Sequence, residues 1–403
     1  MRQYRGLTFG YAMVLSLIIG ILTGAYLQAV NVIIAFFWRT LPNWLGIVPA
    51  WRPWLICLPL GLVIGLCQKC LGQYPLTIGQ VVGEVRIKSH FSWHRWWRIL
   101  LCGLLILGAG ADVGPEASAS GLLAGMIYWL GCRYKSALAR ADELRDASWW
   151  RQLATIIGQR TVSTNTLPLI SSYFASESAK KRAYAIWIAC GCLGLVLFFR
   201  AFPQEGVIGF HLPPIAWHWQ GALVVIPALV GGWAFGWLFA KFGELGEKVA
   251  GRPSWPVLKA LLGGLLLIAG STWSTDILFS GEFTIQPFAK HAYYLAPLFL
   301  IALGLMKALI SNFGFALGWR GGTIFPAIFS SLAMGAALAQ FLGVMPQLTV
   351  TIFLAAAITT IIRRPLLTVI LLALLCPLQF LLFIIAAAYL VNGALRRLTF
   401  LQP

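Results

Sequence analysis

Acidic residues are scarce: 12 of the 403 are Asp or Glu, against 30 Lys and Arg, and charged side chains of all kinds make up 10% of the chain. A soluble domain carries about 25% charged residues, so a water-covered globular surface is excluded. Histidine is sparser still, with five copies: His90, His94, His211, His218 and His291. They fall in loops or at the ends of apolar runs, without metal-type spacing. A membrane-embedded enzyme acting on lipid needs acids, His or Cys clustered at one depth. This shortage sets that reading aside, and no enzymatic activity is expected. The eight Cys lie mostly inside apolar runs (Cys57, Cys102, Cys190, Cys192, Cys376), where they read as small hydrophobes. Cys67-Gln68-Lys69-Cys70 has the spacing of a zinc half-site, but no second pair or His cluster accompanies it. Neither metal nor cofactor is expected.

What the chain has instead is apolar surface. Hydrophobic residues make up 59%, and the mean hydropathy is +0.81. That composition belongs to an all-α polytopic membrane protein, whose partner is the lipid bilayer. The net charge of +18 does not signal nucleic acid, because basic residues gather in short loops that set orientation and meet anionic lipid. A basic rim also concentrates an anionic permeant. Arg2 and Arg5 precede a first apolar run too long for a cleaved signal peptide, and Arg396 and Arg397 close the last one. Both termini are expected in the cytoplasm, with an even number of crossings and no regulatory domain after Phe400.

The chain is organised around Gly110-Ala111-Asp112-Val113-Gly114-Pro115-Glu116-Ala117, between the apolar runs 100–108 and 117–130. Gly114 lets the backbone turn, and Pro115 suits a first helical position. The first amides of that helix lack internal partners and carry the positive end of its dipole. Inside a membrane such an end must be buried in protein or line a polar cavity, and an anion is its natural guest. Gly318-Trp319-Arg320-Gly321-Gly322-Thr323-Ile324-Phe325-Pro326-Ala327 repeats the grammar before the apolar run 327–342. Two broken helices at corresponding places in two halves point to a transporter's substrate site. Further breaks fall at Leu71-Gly72-Gln73-Tyr74-Pro75, Asn165-Thr166-Leu167-Pro168 and Arg363-Arg364-Pro365. The stretch 133–151 reads as a solvated, cytoplasmic loop or surface helix, 241–259 as a basic loop, and 271–290 as polar. Residues 260–269 read as a short helix, and 202–219 as the junction between halves.

At these residues the sequence resembles the CLC family of chloride channels and chloride/proton antiporters. Val113-Gly114-Pro115 is similar to the end of the family's Gly-Lys/Arg-Glu-Gly-Pro motif. Gly322-Thr323-Ile324-Phe325-Pro326 is similar to its Gly-x-Phe-x-Pro motif. Asn165-Thr166-Leu167-Pro168-Leu169, with Phe174 and Glu177 following, is similar to its Asn-Ala-Pro-Leu segment, and Ile362-Arg363-Arg364-Pro365-Leu366 to the second-half partner. Gly-Pro-Glu and Arg-Gly-Gly-x-Ile-Phe-Pro look most like a short bacterial branch described as ion-channel or ion-transport proteins. The resemblance implies one transmembrane domain over 1–403, with inverted halves of about 1–201 and 202–403. It also implies a homodimer in the bacterial inner membrane that moves chloride or another small anion. The anion pathway would comprise Gly72, Gln73, Tyr74, Val113, Gly114, Pro115, Thr323, Ile324, Phe325 and Tyr389, the last at the family's pore tyrosine.

The sequence also departs from the family. Val113 stands where the family keeps its gating glutamate and cannot hold a proton. Ser178 aligns with the inner proton glutamate, one residue after Glu177. Leu71-Gly72-Gln73-Tyr74-Pro75 lacks the family's central serine. An uncoupled, channel-like pathway is therefore expected, with a proton-coupled antiporter as the alternative. The alternative needs a relocated gate, for which Glu116, Asp112, Glu177 and Ser178 are the candidates. Each has a plainer role beside it. Glu116 would be a helix-start carboxylate worth about 0.3–1 kcal/mol against the dipole, and Asp112 a cap. Glu177 would pair with Lys180 at the surface. An intramembrane Lys307 would pair with a backbone carbonyl, snorkel, or meet anions in a vestibule.

Overall fold

The structure, a computed structural model, describes residues 2–88, 91–141, 143–144, 147–158, 174, 176–203, 218–251, 255–282 and 284–400. The breaks expected at Asn165–Pro168 and most of the 202–219 junction lie outside the described residues. The helices are α1 (Arg2–Ala35), α2 (Leu41–Trp44), α3 (Arg52–Leu71), α4 (Ile78–Lys88), α5 (Trp96–Gly108), α6 (Glu116–Ala139), α7 (Trp149–Gly158) and α8 (Glu177–Ala201). After them come α9 (Gly221–Ala250), α10 (Pro256–Trp273), α11 (Ile285–His291), α12 (Pro297–Ala316), α13 (Ile324–Leu342), α14 (Pro346–Ile362), α15 (Pro365–Ala373) and α16 (Leu381–Phe400). Among the described residues, eight helical segments are long and apolar enough to cross a membrane. Helices α5, α14 and α15 have 13, 17 and 9 residues, short of the roughly 20 a simple crossing needs.

Two expectations give way. The stretch 241–259 is not a loop, because α9 runs on to Ala250 through Lys241, Glu244 and Lys248. Lys241 and Glu244, three apart, pair at 2.7 Å on its exposed face, the spacing that supports a helix in water. Nor is 260–269 the extent of the next helix. Pro256 opens α10 as an early helical residue, and the helix spans 18 residues to Trp273.

The chain forms two compact units. Unit 1 holds 1–32, 75–101 and 117–204. Within it α1 and α8 pack closely through glycine: a methyl on Gly194 would collide with the Leu17 carbonyl. The Tyr4 hydroxyl donates to Ala137 O of α6 at 2.9 Å. Arg133, read from sequence at the start of a solvated loop or surface helix, lies within α6 and donates to Tyr11 Oη and Ile157 O. Unit 2 holds 33–74, 102–116 and 205–403. Its core is α13 and α14, both largely buried, with α9 and α12 packed against them and α10 against α3 and α12. Trp319 is 1% exposed, and its indole N–H donates to Ala260 O of α10 at 2.7 Å.

Candidate functional site

Residues 110–116 and the second glycine-rich stretch belong to unit 2, and each begins at the end of a helix. The chain leaves α5 and turns through Gly110, with φ at +84°; it leaves α12 and turns through Gly318, with φ at +105°. Such angles suit glycine and strain side chains. The stretches then meet. Gly114 N–H donates to Gly322 O at 2.7 Å, and Gly322 N–H donates to Gly114 O at 2.8 Å. Among the described residues this pair is an isolated β-type bridge. It ties the start of α6 to the start of α13.

The Glu116 side chain folds back onto the bridge. A methyl on either Gly114 or Gly322 would collide with its carboxylate, so glycine is required at both positions for close approach. Glu116 Oε1 accepts from Phe325 N–H, in the first turn of α13, at 3.3 Å. Oε2 is buried without a hydrogen-bond partner. A carboxylate on the exposed first-turn amides of a second helix is what the dipole and the orphan donors favour. Proline shapes the two helix starts differently. Pro115 precedes α6, whereas α13 begins at Ile324, so Pro326 sits inside the first turn and gives up an amide that has no partner there.

Asp112 is held elsewhere. Its Oδ1 lies 3.0 Å from Lys307 Nζ, and both side chains are buried, Lys307 completely. Lys307 also donates to Asp276 O at 2.7 Å and Phe279 O at 2.9 Å, with its ammonium 4.9 Å from the Phe329 ring centroid. Phe279 N–H returns a bond to Gly110 O at 3.1 Å, and Ser311 Oγ donates to Asp112 O at 2.9 Å. The ion pair therefore pins the segment after α10 against the first glycine stretch. The backbone-carbonyl role weighed for Lys307 is present, together with an acid partner that spacing did not reveal.

The other candidates divide. Val113 is 2% exposed and packs against Gly321. Thr323, Ile324 and Phe325 are half-buried at the α13 start. Gly72 and Gln73 are exposed and line a cavity of about 540 Å³, whereas Tyr74 is buried beside them. Arg320 reaches the same cavity, and its Nη1 donates to Gln73 Oε1 at 3.0 Å. Tyr389 is half-exposed on α16 and does not line this cavity. Glu177 and Ser178 belong to unit 1, at the start of α8. Glu177 pairs with Lys180 at 3.3 Å while 70% exposed, and Ser178 Oγ lies 2.9 Å from Ser176 Oγ. Their surroundings are those of a helix start at the surface. Sequence reasoning missed Glu282, which lies within electrostatic range of Glu116; its rarity as an acid in this chain was the signal. Among the described residues, no group of three or more His, Cys, Asp or Glu is placed to hold a metal ion.

The family model described as "Voltage gated chloride channel" matches residues 60–394. The chain belongs to this CLC family. YfeO of Escherichia coli O1:K1 / APEC, an ion-transport protein by name, is 25% identical over 340 residues, covering 79% of this chain and 76% of its own. YfeO of Shigella flexneri is 25% identical over 337 residues, with the same coverage. A slow cyanobacterial Cl⁻/H⁺ antiporter shares the fold at a TM-score of 0.70 and 17% identity, over 98% of this chain and 96% of its own. A CLC-type fluoride/proton antiporter does so at 0.64 and 14%, over 95% of each chain. The likeness to these structures shows the fold: an all-α, CLC-type integral membrane protein. Anion transport comes with membership of the CLC family.

Proposed function

We propose that this CLC protein exchanges small inorganic anions, chloride foremost, for protons, with Glu116 as the gate. One observation carries the reading: the Glu116 carboxylate accepts from the Phe325 amide in the first turn of α13, against Gly114 and Gly322. A carboxylate is a tethered anion, so its seat marks where a free anion would be held by helix ends rather than by fixed cations. A permeating anion takes that seat only when the carboxylate moves off or accepts a proton. Anion and proton movement are thereby linked through one group. The Cl⁻/H⁺ and fluoride/proton antiporters that share the fold support exchange as the mode. Gly72 and Gln73 would line the approach, and Thr323, Ile324 and Phe325 would present the amides. A single domain over 1–403, a homodimer, cytoplasmic termini and the bacterial inner membrane complete the proposal.

Uncoupled conduction is the rival, favoured by Val113, which holds no proton at the family's gate position. Liposome flux separates the two. Under exchange, a pH gradient drives chloride uptake uphill, and Glu116→Gln removes that drive while leaving downhill flux independent of pH. Uptake that never runs uphill, together with an unchanged Glu116→Gln variant, would reduce Glu116 to a helix cap.

A further inference from the structure

The cavity beside Arg320 is much larger than a halide needs. It measures about 540 Å³, whereas a water-sized guest takes about 30 Å³ of liquid volume and small-molecule pockets run about 300–1,000 Å³. Four helix ends frame it: the C-terminal ends of α3, α9 and α12 and the N-terminal end of α10. All four helices belong to segments able to cross a membrane. Helices that cross a bilayer end among the headgroups or in the water beyond them, as α9 does with its charged last turns.

The lining is cationic. Lys69 of α3, Lys259 of α10 and Arg320 contribute three positive charges, Gln68 and Gln73 add carboxamides, and among the described residues no acid lines the cavity. Arg320 is only 9% exposed. Its plane is fixed by the bond to Gln73 and by the Phe315 ring, 4.8 Å away. Glu247 of α9 is the acid that acts on it electrostatically. Cations also gather at helix C-termini to answer the dipole. That accounts for Lys69 at the end of α3. It does not account for a guanidinium nine-tenths buried and held in plane beside an open volume that two further cations also line.

We propose that this cavity binds a phosphate group as its dianion, through Arg320, Lys69 and Lys259. A planar guanidinium offers two parallel N–H donors to phosphate oxygens, and three cations suit a doubly charged guest better than a halide. Arg320 directly precedes Gly321 and Gly322, whose backbone pairs with Gly114. An occupied cavity therefore restrains the bridge and slows anion flux; this last step rests on the proposed function, whereas the binding itself does not. The phosphate comes from a lipid headgroup or from solution.

Calorimetric titration of the purified full chain with inorganic phosphate, against a chloride background of constant ionic strength, tests the binding. Saturable binding is expected, weakened about tenfold or more by Arg320→Gln, which corresponds to about 1.4 kcal/mol. The double variant Lys69→Gln/Lys259→Gln alters side chains that are not buried and gives the same readout should Arg320→Gln fail to fold. Absence of saturable binding, or binding unchanged in the variants, overturns the site. Chloride flux then separates the sources. Slower flux in vesicles containing phosphatidic acid than in ones containing phosphatidylglycerol assigns a headgroup, and inhibition by added inorganic phosphate assigns a soluble ligand. Saturable binding with flux unaffected by either overturns the regulatory step.

Discussion

Removing the Lys307 ammonium should damage this protein more than removing both members of its ion pair. The Lys307→Met change keeps the length and apolar stem of the side chain but deletes its charge. Asp112 then loses the cation 3.0 Å from its Oδ1, in a site where its side chain is almost wholly buried. Breaking a buried pair by removing one partner costs about 3–5 kcal/mol. The carbonyls of Asp276 and Phe279 lose donors at 2.7 and 2.9 Å, and an unsatisfied buried group costs about 1–3 kcal/mol. Against a total stability of about 5–15 kcal/mol, the single variant should fold poorly or melt far below the parent. The double variant Asp112→Leu/Lys307→Met removes the stranded carboxylate and leaves only the carbonyl loss. It should recover about 2–3 kcal/mol relative to the sum of the two singles, the upper part of the range for directly contacting residues. Unfolding in mild detergent, followed by Tm and by denaturant midpoint for parent, singles and double, measures that coupling. A coupling within about 0.5 kcal/mol of zero, the scatter of independent sites, would refute the clamp assigned to this pair.

Other expectations concern the bridge and its surroundings. Gly322→Ala places a methyl against the Glu116 carboxylate and should reduce anion flux about tenfold, a barrier change of about 1.4 kcal/mol; adding Glu116→Ala should restore it, and failure of the rescue would dissociate the glycine from the carboxylate. Trp319→Phe deletes the donor to Ala260 O and should lower stability by about 1–3 kcal/mol, the cost of an orphaned buried acceptor, read as a fall in Tm. Glu177→Gln removes an exposed ion pair and should move stability by less than about 1 kcal/mol, with flux and its pH dependence unchanged. A large flux defect there would return Glu177 to the list of gates.

Much of the site was legible in the primary structure, but not its internal assignments. Pro115 and Pro326 announced helix starts, because proline fixes its own φ angle, whereas the turn read at Gly114 is made by Gly110 and Gly318, where φ is positive. The α9 and α10 boundaries were misplaced because charge was taken as a sign of loop, whereas Lys241 and Glu244 support each other on a helix that continues beyond its apolar part. Asp112 and Glu116 looked alike as intramembrane acids beside one motif. They differ only in what lies across from them: Lys307 for one, the Phe325 amide for the other.

Local chemistry thus settled the membrane class and the two glycine-marked helix starts, since scarcity of charge and fixed backbone angles act residue by residue. Folding alone chose the acid that faces the amides and the acid that is neutralised. Glu116 and Phe325 stand 209 positions apart, and Asp112 and Ser311 stand 199 apart. No periodicity spans such distances, and an electrostatic partner acts only through space once packing has brought it near.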